Sequence, residues 1–367
     1  MHKLLTAMCR AGGSDLFISN EFPPSMKTHG KMQPMTSKKL TGEFTRQLAN
    51  AIMNQRQRDE FAKELECNFA ISIPAVARFR VNVFVQQQNV GMVIRTIPAE
   101  IPDFATLALP EILKDIVMTN RGLVLVVGAT GSGKSTSLAA MIDHRNRSSP
   151  GHIITVEDPV EFVHQSHQSL ITHREVGIDT HSWHHALKNT LRQAPDVILI
   201  GEVRDAETME HAIAFAETGH LCLCTLHANS ANQTIDRIIN FFSEERRNQL
   251  LMDLSSNLRA IVSQRLIRTA DGKGRRAAME ILINTPIIAE KILKGEFHEI
   301  KAIMGKSREL GMRTFDWSLF ELYNNGDISY DEAIRNADSA NELRLNIKLN
   351  GNRPAPEPAE AVAMTAS

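Results

Sequence analysis

Tyrosine and tryptophan are nearly missing from this chain: there are two of each in 367 residues, and aromatics make up only 5%. Few stacking platforms are therefore available for single-stranded nucleic acid. An excess of charge of either sign is missing too, since 41 Lys and Arg stand against 42 Asp and Glu for a net charge of -1. No global field draws the chain to nucleic acid or anionic lipid. No run of about 18 apolar residues occurs, which excludes a helix that spans a bilayer. The opening "MHKLLTAMCRAGGSD" lacks the apolar stretch and small-residue cleavage site of a secretory signal. A cytoplasmic location is the expectation. Cysteine is scarce: Cys9, Cys67, Cys222 and Cys224 are too few and too scattered for a disulfide framework or a four-thiolate zinc site. Cys222 and Cys224 sit two apart in "GHLCLCTLHA", so on a strand they share one face, and buried thiols are expected.

What is present suffices for two domains, because 43% hydrophobic residues in a chain of this length can build real cores. In the first hundred residues "DLFIS", "FRVNVFVQQQ" and "VGMVIRTIP" alternate like strands of an antiparallel sheet, and Leu40 to Leu65 carries apolar residues at helical spacing. That predicts a small α+β domain over 1–98. Pro98, Pro102 and Pro110 crowd the next stretch, which suits a linker over 99–110. From about Glu111 apolar strands alternate with helical patterns, the signature of α/β architecture with a parallel sheet buried on both faces. Leu251 to Leu266 and Thr285 to Tyr323 read as mostly helical, completing a domain over 111–349. The last stretch, 350–367, is rich in Pro, Ala and Glu and is expected to be a disordered tail.

"GATGSGKS", Gly128 to Ser135, fits G-x-x-x-x-G-K-[ST], follows the apolar strand "LVLVV" and opens the helix "TSLAAMI". Such a loop binds the phosphates of a nucleotide. Backbone amides of Gly128, Thr130, Gly131, Ser132, Gly133 and the residues through Thr136 close around phosphate oxygens, with the helix N-terminus adding its dipole. Lys134 neutralises β and γ charge, and Ser135 offers a hydroxyl to Mg²⁺.

Hydrolysis also needs acidic groups. "IITVEDPVEF" delivers Glu157 and Asp158 at a strand end and Glu161 on the following loop, and "VILIGE" ends in Glu202. Carboxylates at the C-terminal ends of parallel strands face the ligand crevice, although a solvated acidic loop has the same composition. Gly201 before Glu202 is expected to clear space near the phosphates, so that the glutamate approaches metal-bound water. His220 and His227 bracket one strand, and His227 ends it beside the P-loop sheet, in place to sense the γ-phosphate. In "HSWHHALK", His181 and His185 lie four apart, a spacing that suits metal ligation on a helix, but no carboxylate or thiol completes that set locally.

In this order and spacing, "GATGSGKST", "ITVEDPVEFVH", "ILIGEVRDAETMEHA" and "TGHLCLCTLHANSA" resemble the Walker A, Asp box, Walker B and His box of the type II/IV secretion ATPases. Within these the chain looks like the PilT/PilU retraction ATPases of type IV pili, from about Ser14 to about Leu349. The resemblance implies a homo-hexameric ring whose subunits pair a PAS-like N-terminal domain with a RecA-like ATPase domain. It implies ATP and Mg²⁺ as cofactors, with ATP between domains. It also implies an inner-membrane platform protein as partner, and a place in the cytoplasm at the inner-membrane base of the pilus machine. Carried onto this sequence, Lys134 and Ser135 hold phosphate and Mg²⁺, Glu202 is the Walker B glutamate reaching the metal through water, Glu161 is the general base, and His220 and His227 form the His-box pair. Arg80 and Arg95, and Arg78 beside them, match arginines that reach the nucleotide phosphates. Read without the resemblance, the same arginines suit a solvated strand face.

The departures from the family pattern also inform. "RTADGKGRRAAMEIL" has no cysteine where assembly ATPases carry a zinc insert, which points to the retraction branch. Phe17 stands where PilT-like chains carry histidine, and "IIAEKILKGE" follows Pro286 where they carry "AIRNL". These changes look more like PilU-type members, so a PilT-like motor ATPase is an implied partner. Two readings stand: a motor that pulls, and a regulatory ring partner that binds ATP and docks to a homologous motor. A nucleic-acid translocase would need basic channel loops, which the charge balance does not supply.

Overall fold

The computed structural model describes residues 1–28, 31–97 and 100–353. It divides into two compact units: Met1–Ile101 together with Asp158–Val163, and Pro102–Glu157 together with His164 onward. Most of the tail expected over 350–367 lies outside the described residues, from 354 on, as does Pro98.

The first unit is an antiparallel sheet of six strands, β1 (Asp15–Ile18), β2 (Ser25–Thr28), β3 (Lys31–Pro34), β4 (Glu66–Ile73), β5 (Ala77–Gln86) and β6 (Asn89–Ile97), in the order β3-β2-β1-β6-β5-β4. The alternation that predicts β1, β5 and β6 holds because Phe79, Val81, Val83, Val90, Met92 and Ile94 all point into one core. Gln87 and Gln88 both take positive φ, of 45° and 63°, the turn geometry that closes a two-residue hairpin between β5 and β6. Helices α1 (His2–Arg10), α2 (Gly42–Asn50) and α3 (Gln55–Glu64) contribute Leu5, Met8, Leu48, Ala49 and Phe61 to that core. Asn54 ends α2's run of helical spacing by forming a capping box with Gln57, so one expected helical stretch becomes two helices.

The second unit is a seven-stranded sheet of β7 (Gly122–Val127), β8 (Gly151–Glu157), β9 (Ser169–Glu175), β10 (Val197–Ile200), β11 (Leu221–Leu226), β12 (Leu258–Arg268) and β13 (Arg275–Ile283), ordered β13-β12-β7-β11-β10-β8-β9. All neighbours run parallel except the edge pair β12 and β13. Along β7, Leu123, Leu125 and Val127 enter one core and Val124 and Val126 the other, so the strand is buried on both faces. One face carries α4 (Phe104–Leu107), α5 (Ile112–Val117) and α6 (Lys134–Ser148). The other carries α7 (Trp183–Thr190), α8 (Ala206–Glu217), α9 (Ala231–Ile239), α10 (Arg247–Asn257), α11 (Pro286–Lys294) and α12 (Ile300–Lys306). Phe104 and Leu109, within the stretch read as a linker, are buried in this unit. Finally α13 (Phe315–Asn324), α14 (Tyr330–Asn336) and α15 (Ala340–Asn350) form their own core against Ile267 and Ala278 of the sheet edge. Arg353, inside the expected tail, packs over the Tyr323 ring and donates to its carbonyl.

The expectation of helix through Leu251 to Leu266 is corrected: α10 stops at Asn257 and Leu258–Arg268 is strand β12. Ala260, Ile261, Val262 and Ser263 are buried on both faces between β7 and β13. A short run buried on both faces carries no periodicity to separate strand from buried helix.

Candidate active site

Three neighbouring strands build the site. β7 leads into the loop Gly128–Gly133, β11 ends before His227, and β10 ends before Gly201-Glu202. Because β7, β11 and β10 are consecutive and parallel, all three segments leave the sheet at its C-terminal edge.

The P-loop takes the backbone path that its glycines allow. Gly128, Gly131 and Gly133 have φ of 155°, 76° and 87°, and Gly133 is the left-handed N-cap of α6. At Gly128 a Cβ would stand 2.5 Å from the Gln264 carbonyl and 2.5 Å from Ser132 Oγ, so only glycine fits. Lys134 is 8% exposed, and its ammonium donates to the carbonyls of Gly128 (2.8 Å) and Ala129 (3.1 Å). The charge is thus held inside the loop. Ser132 Oγ is buried with no hydrogen-bond partner among the described residues. An orphaned buried hydroxyl costs roughly 1–3 kcal/mol, and a phosphate oxygen in the loop would satisfy it. The residues present therefore fit a nucleotide phosphate. Lys134, Ser135 and Thr136 open α6, whose first amides lack intrahelical acceptors.

Gln264 of β12 went unnoticed in the sequence. Its Oε1 accepts from Ser137 Oγ at 2.8 Å, both groups buried, while its Nε2 lies where a Cβ on Gly133 would reach it, at 2.7 Å. It braces the P-loop from the neighbouring strand.

Glu202 has both carboxylate oxygens engaged. Oε2 accepts from Arg204 Nε at 2.8 Å and lies 2.6 Å from Arg204 Nη2, and Oε1 lies 3.0 Å from His227 Nε2. This geometry puts the His227 proton on Nε2. Arg204 is a second residue that sequence reasoning missed, although it lies two positions on. Gly201 has a reason besides the one expected: a Cβ there would stand 3.2 Å from Glu157 Cα and Cγ, so the glycine makes room for β8.

His220 does not join this group. It precedes β11, beside Gly122, with its Nδ1 near Thr218 Oγ1 (3.0 Å) and the Phe215 carbonyl (3.2 Å). The six residues of β11 separate it from His227 by about 20 Å, so its expected nucleotide contact is not made at this chain's own P-loop. Glu157 ends β8 half-buried, and Asp158 and Glu161 on the following segment are exposed. Cys222 and Cys224 are buried on one face of β11 with their sulfurs 3.6 Å apart, as a strand dictates.

In the first unit Arg80 and Arg95 are directly opposed across β5 and β6, and Arg78 shares their face, away from the core. Opposed like charges repel across a sheet. Arg95 is relieved by Asp15 on β1, with Nε 2.8 Å from Oδ1.

Residues 1–307 match the type II/IV secretion system protein family. The chain belongs to that family. Among its relatives, the type IV pilus ATPase PilU of Pseudomonas aeruginosa is 58% identical over 353 residues, covering 96% of this chain and 92% of the relative. The type IV pilus retraction ATPase PilT of the same organism is 42% identical over 335 residues, covering 91% and 97%. A crystal structure of the pilus retraction motor PilT with bound ADP superposes with a TM-score of 0.86 at 37% identity, covering 94% of this chain and 98% of that one. The family resemblance read from four motifs thus extends over nearly the whole chain. No helix among the described residues is long and apolar enough to cross a membrane.

Proposed function

We propose that the chain is an ATP-hydrolysing motor subunit that drives or assists retraction of type IV pili, and hence twitching motility. The observation that carries the chemistry is Glu202, held between Arg204 and His227 at the same sheet edge as the P-loop. Similarity to the pilus ATPases named above supplies the biological setting.

In this reading the amides from Gly128 to Thr136 and the Lys134 ammonium hold the phosphates, and the Ser135 hydroxyl and Glu202, the latter through water, hold Mg²⁺. The metal when bound neutralises charge on the phosphoryl oxygens. Glu161 serves as general base toward the attacking water. Arg80 and Arg95 meet the charge that develops on the phosphoryl group, which accounts for two cations facing each other on an otherwise unfavourable strand pair. His227 follows the γ-phosphate through its bond to Glu202. His220 belongs to the His box by resemblance alone.

The domain division 1–98, 99–110 and 111–349 with a tail over 350–367, a homo-hexameric ring, a PilT-like partner motor, an inner-membrane platform protein and a cytoplasmic place at the base of the pilus machine complete the proposal. A second reading, a ring partner with little motor activity of its own, draws on α11: "IIAEKILKGE" occupies the position of the family's "AIRNL" and leaves Ile287 and Leu293 exposed. ATPase rate and oligomer mass, measured with and without a PilT-like motor, separate the two. A hexamer that hydrolyses ATP alone supports the motor, whereas hydrolysis seen only in the mixture supports the ring partner.

A further inference from the structure

The histidine cluster "HSWHHALK" plays no part in the nucleotide site, and the structure rearranges it. Ser182 caps α7 by accepting from His185 N, so His181 lies before the helix and the pair His181 and His185 is not a helical i,i+4 pair. Their rings sit edge to face, 6.1 Å between centroids. The carboxylate that the local sequence lacked comes instead from α8. Glu207 and His211, four apart on that helix, share a face, and His184 of α7 reaches them, its Nδ1 hydrogen bonding to Glu207 Oε1. One ligand atom from each of His184, Glu207 and His211 lies within 4.8 Å of the other two. The rings of His184 and His211 are 6.3 Å apart, and His211 is backed by Phe215 with centroids at 6.0 Å.

The geometry points to a divalent transition-metal site formed by His184, Glu207 and His211, which clips α7 to α8. Two imidazoles and one carboxylate are the ligand types of zinc sites that keep an open position, with metal–ligand distances of about 2.0–2.2 Å. Ligand atoms at such distances in a tetrahedron lie about 3.4 Å from one another, so side-chain rotation closes the set without moving either helix. His184 and Glu207 are exposed and His211 is partly exposed, so an ion has direct entry and water fills the remaining position. A neutral imidazole offers its lone pair to such an ion. A hard ion such as Mg²⁺ prefers an all-oxygen set, so this site selects zinc, nickel or copper over the ion expected at the P-loop. Asp205, three residues after Glu202, caps α8, so Glu207 follows Glu202 by five residues along the chain.

The test uses the full-length protein without a histidine tag, stripped with a chelator, and Zn²⁺ as probe in calorimetry and thermal unfolding. Expected are one Zn²⁺ bound per chain in the micromolar range and a raised unfolding temperature. His184→Gln, Glu207→Gln and His211→Gln should each weaken binding at least about tenfold, while His181→Ala leaves it within about threefold. Circular dichroism and nucleotide binding establish that each variant is folded. Absence of stoichiometric binding below about 100 μM, or binding that survives His184→Gln and His211→Gln, or loss in His181→Ala alone, would overturn the site.

Discussion

Glu202 Oε1 and His227 Nε2 lie 3.0 Å apart, joining the ends of two adjacent strands at the edge that carries the P-loop. The other oxygen of the same carboxylate is held by Arg204. Glu202 is therefore oriented from both sides. His227→Ala should lower kcat by about a hundredfold and leave ATP affinity nearly unchanged, as read by steady-state hydrolysis alongside equilibrium binding of a fluorescent nucleotide. A raised KM with unaltered kcat would place His227 in ground-state binding instead.

The opposed arginines of the first unit make a second prediction. Arg80→Ala or Arg95→Ala should reduce turnover by about three powers of ten while nucleotide binding falls far less. Asp15→Asn should move the protein in the same direction more weakly, because it releases Arg95 from its 2.8 Å partner. Single-turnover hydrolysis separates these effects from binding. An unaltered rate in both arginine variants would return the pair to a solvated strand face.

Gln264 predicts a binding defect without a chemical one. Gln264→Ala removes the acceptor of Ser137 Oγ and leaves a buried hydroxyl unpaired, a loss of roughly 1–3 kcal/mol. Thermal unfolding should shift down, and ATP should bind more weakly because the P-loop loses its brace. Lys134→Ala should abolish binding altogether, so the two variants differ in a titration.

The contrast between Lys134 and Gln264 shows what was legible in the sequence. The P-loop is contiguous, and its spacing carries its function, so Gly128 to Ser135 could be read without any coordinates. Gln264 binds a partner 127 residues away, and its strand, buried on both faces, carries no periodicity to mark it as a strand. Glu202 and His227 could each be placed at a strand end, but their contact depends on β10 and β11 being neighbours. His220 and His227 could be placed at the two ends of one strand, and only the family resemblance tied His220 to the nucleotide. The helical reading of His181 and His185 failed on one residue, since the Ser182 cap begins α7 just after His181.

Acid sensitivity follows from His164. It is 7% exposed, its Nδ1 has no hydrogen-bond partner among the described residues, and its ring stacks on His173 with centroids at 5.9 Å. Burial, with the neighbouring His173 adding to it, lowers its pKa from 6.5 to about 4. Between those values the unfolded chain takes up a proton that the folded chain refuses, so stability is full above about pH 6.5 and falls as pH drops toward 4. The loss should reach about 2 kcal/mol by pH 5. Denaturant unfolding at pH 7.5 and pH 5 measures it, and His164→Phe should flatten this part of the dependence. An equal slope in the variant would assign the acid sensitivity to other groups.

Hydrolysis of ATP through Glu202 is read from the steady-state ATPase rate of the purified protein beside its Glu202→Ala variant. The rate should fall about a hundredfold or more in the variant with nucleotide still bound. An unchanged rate would contradict it.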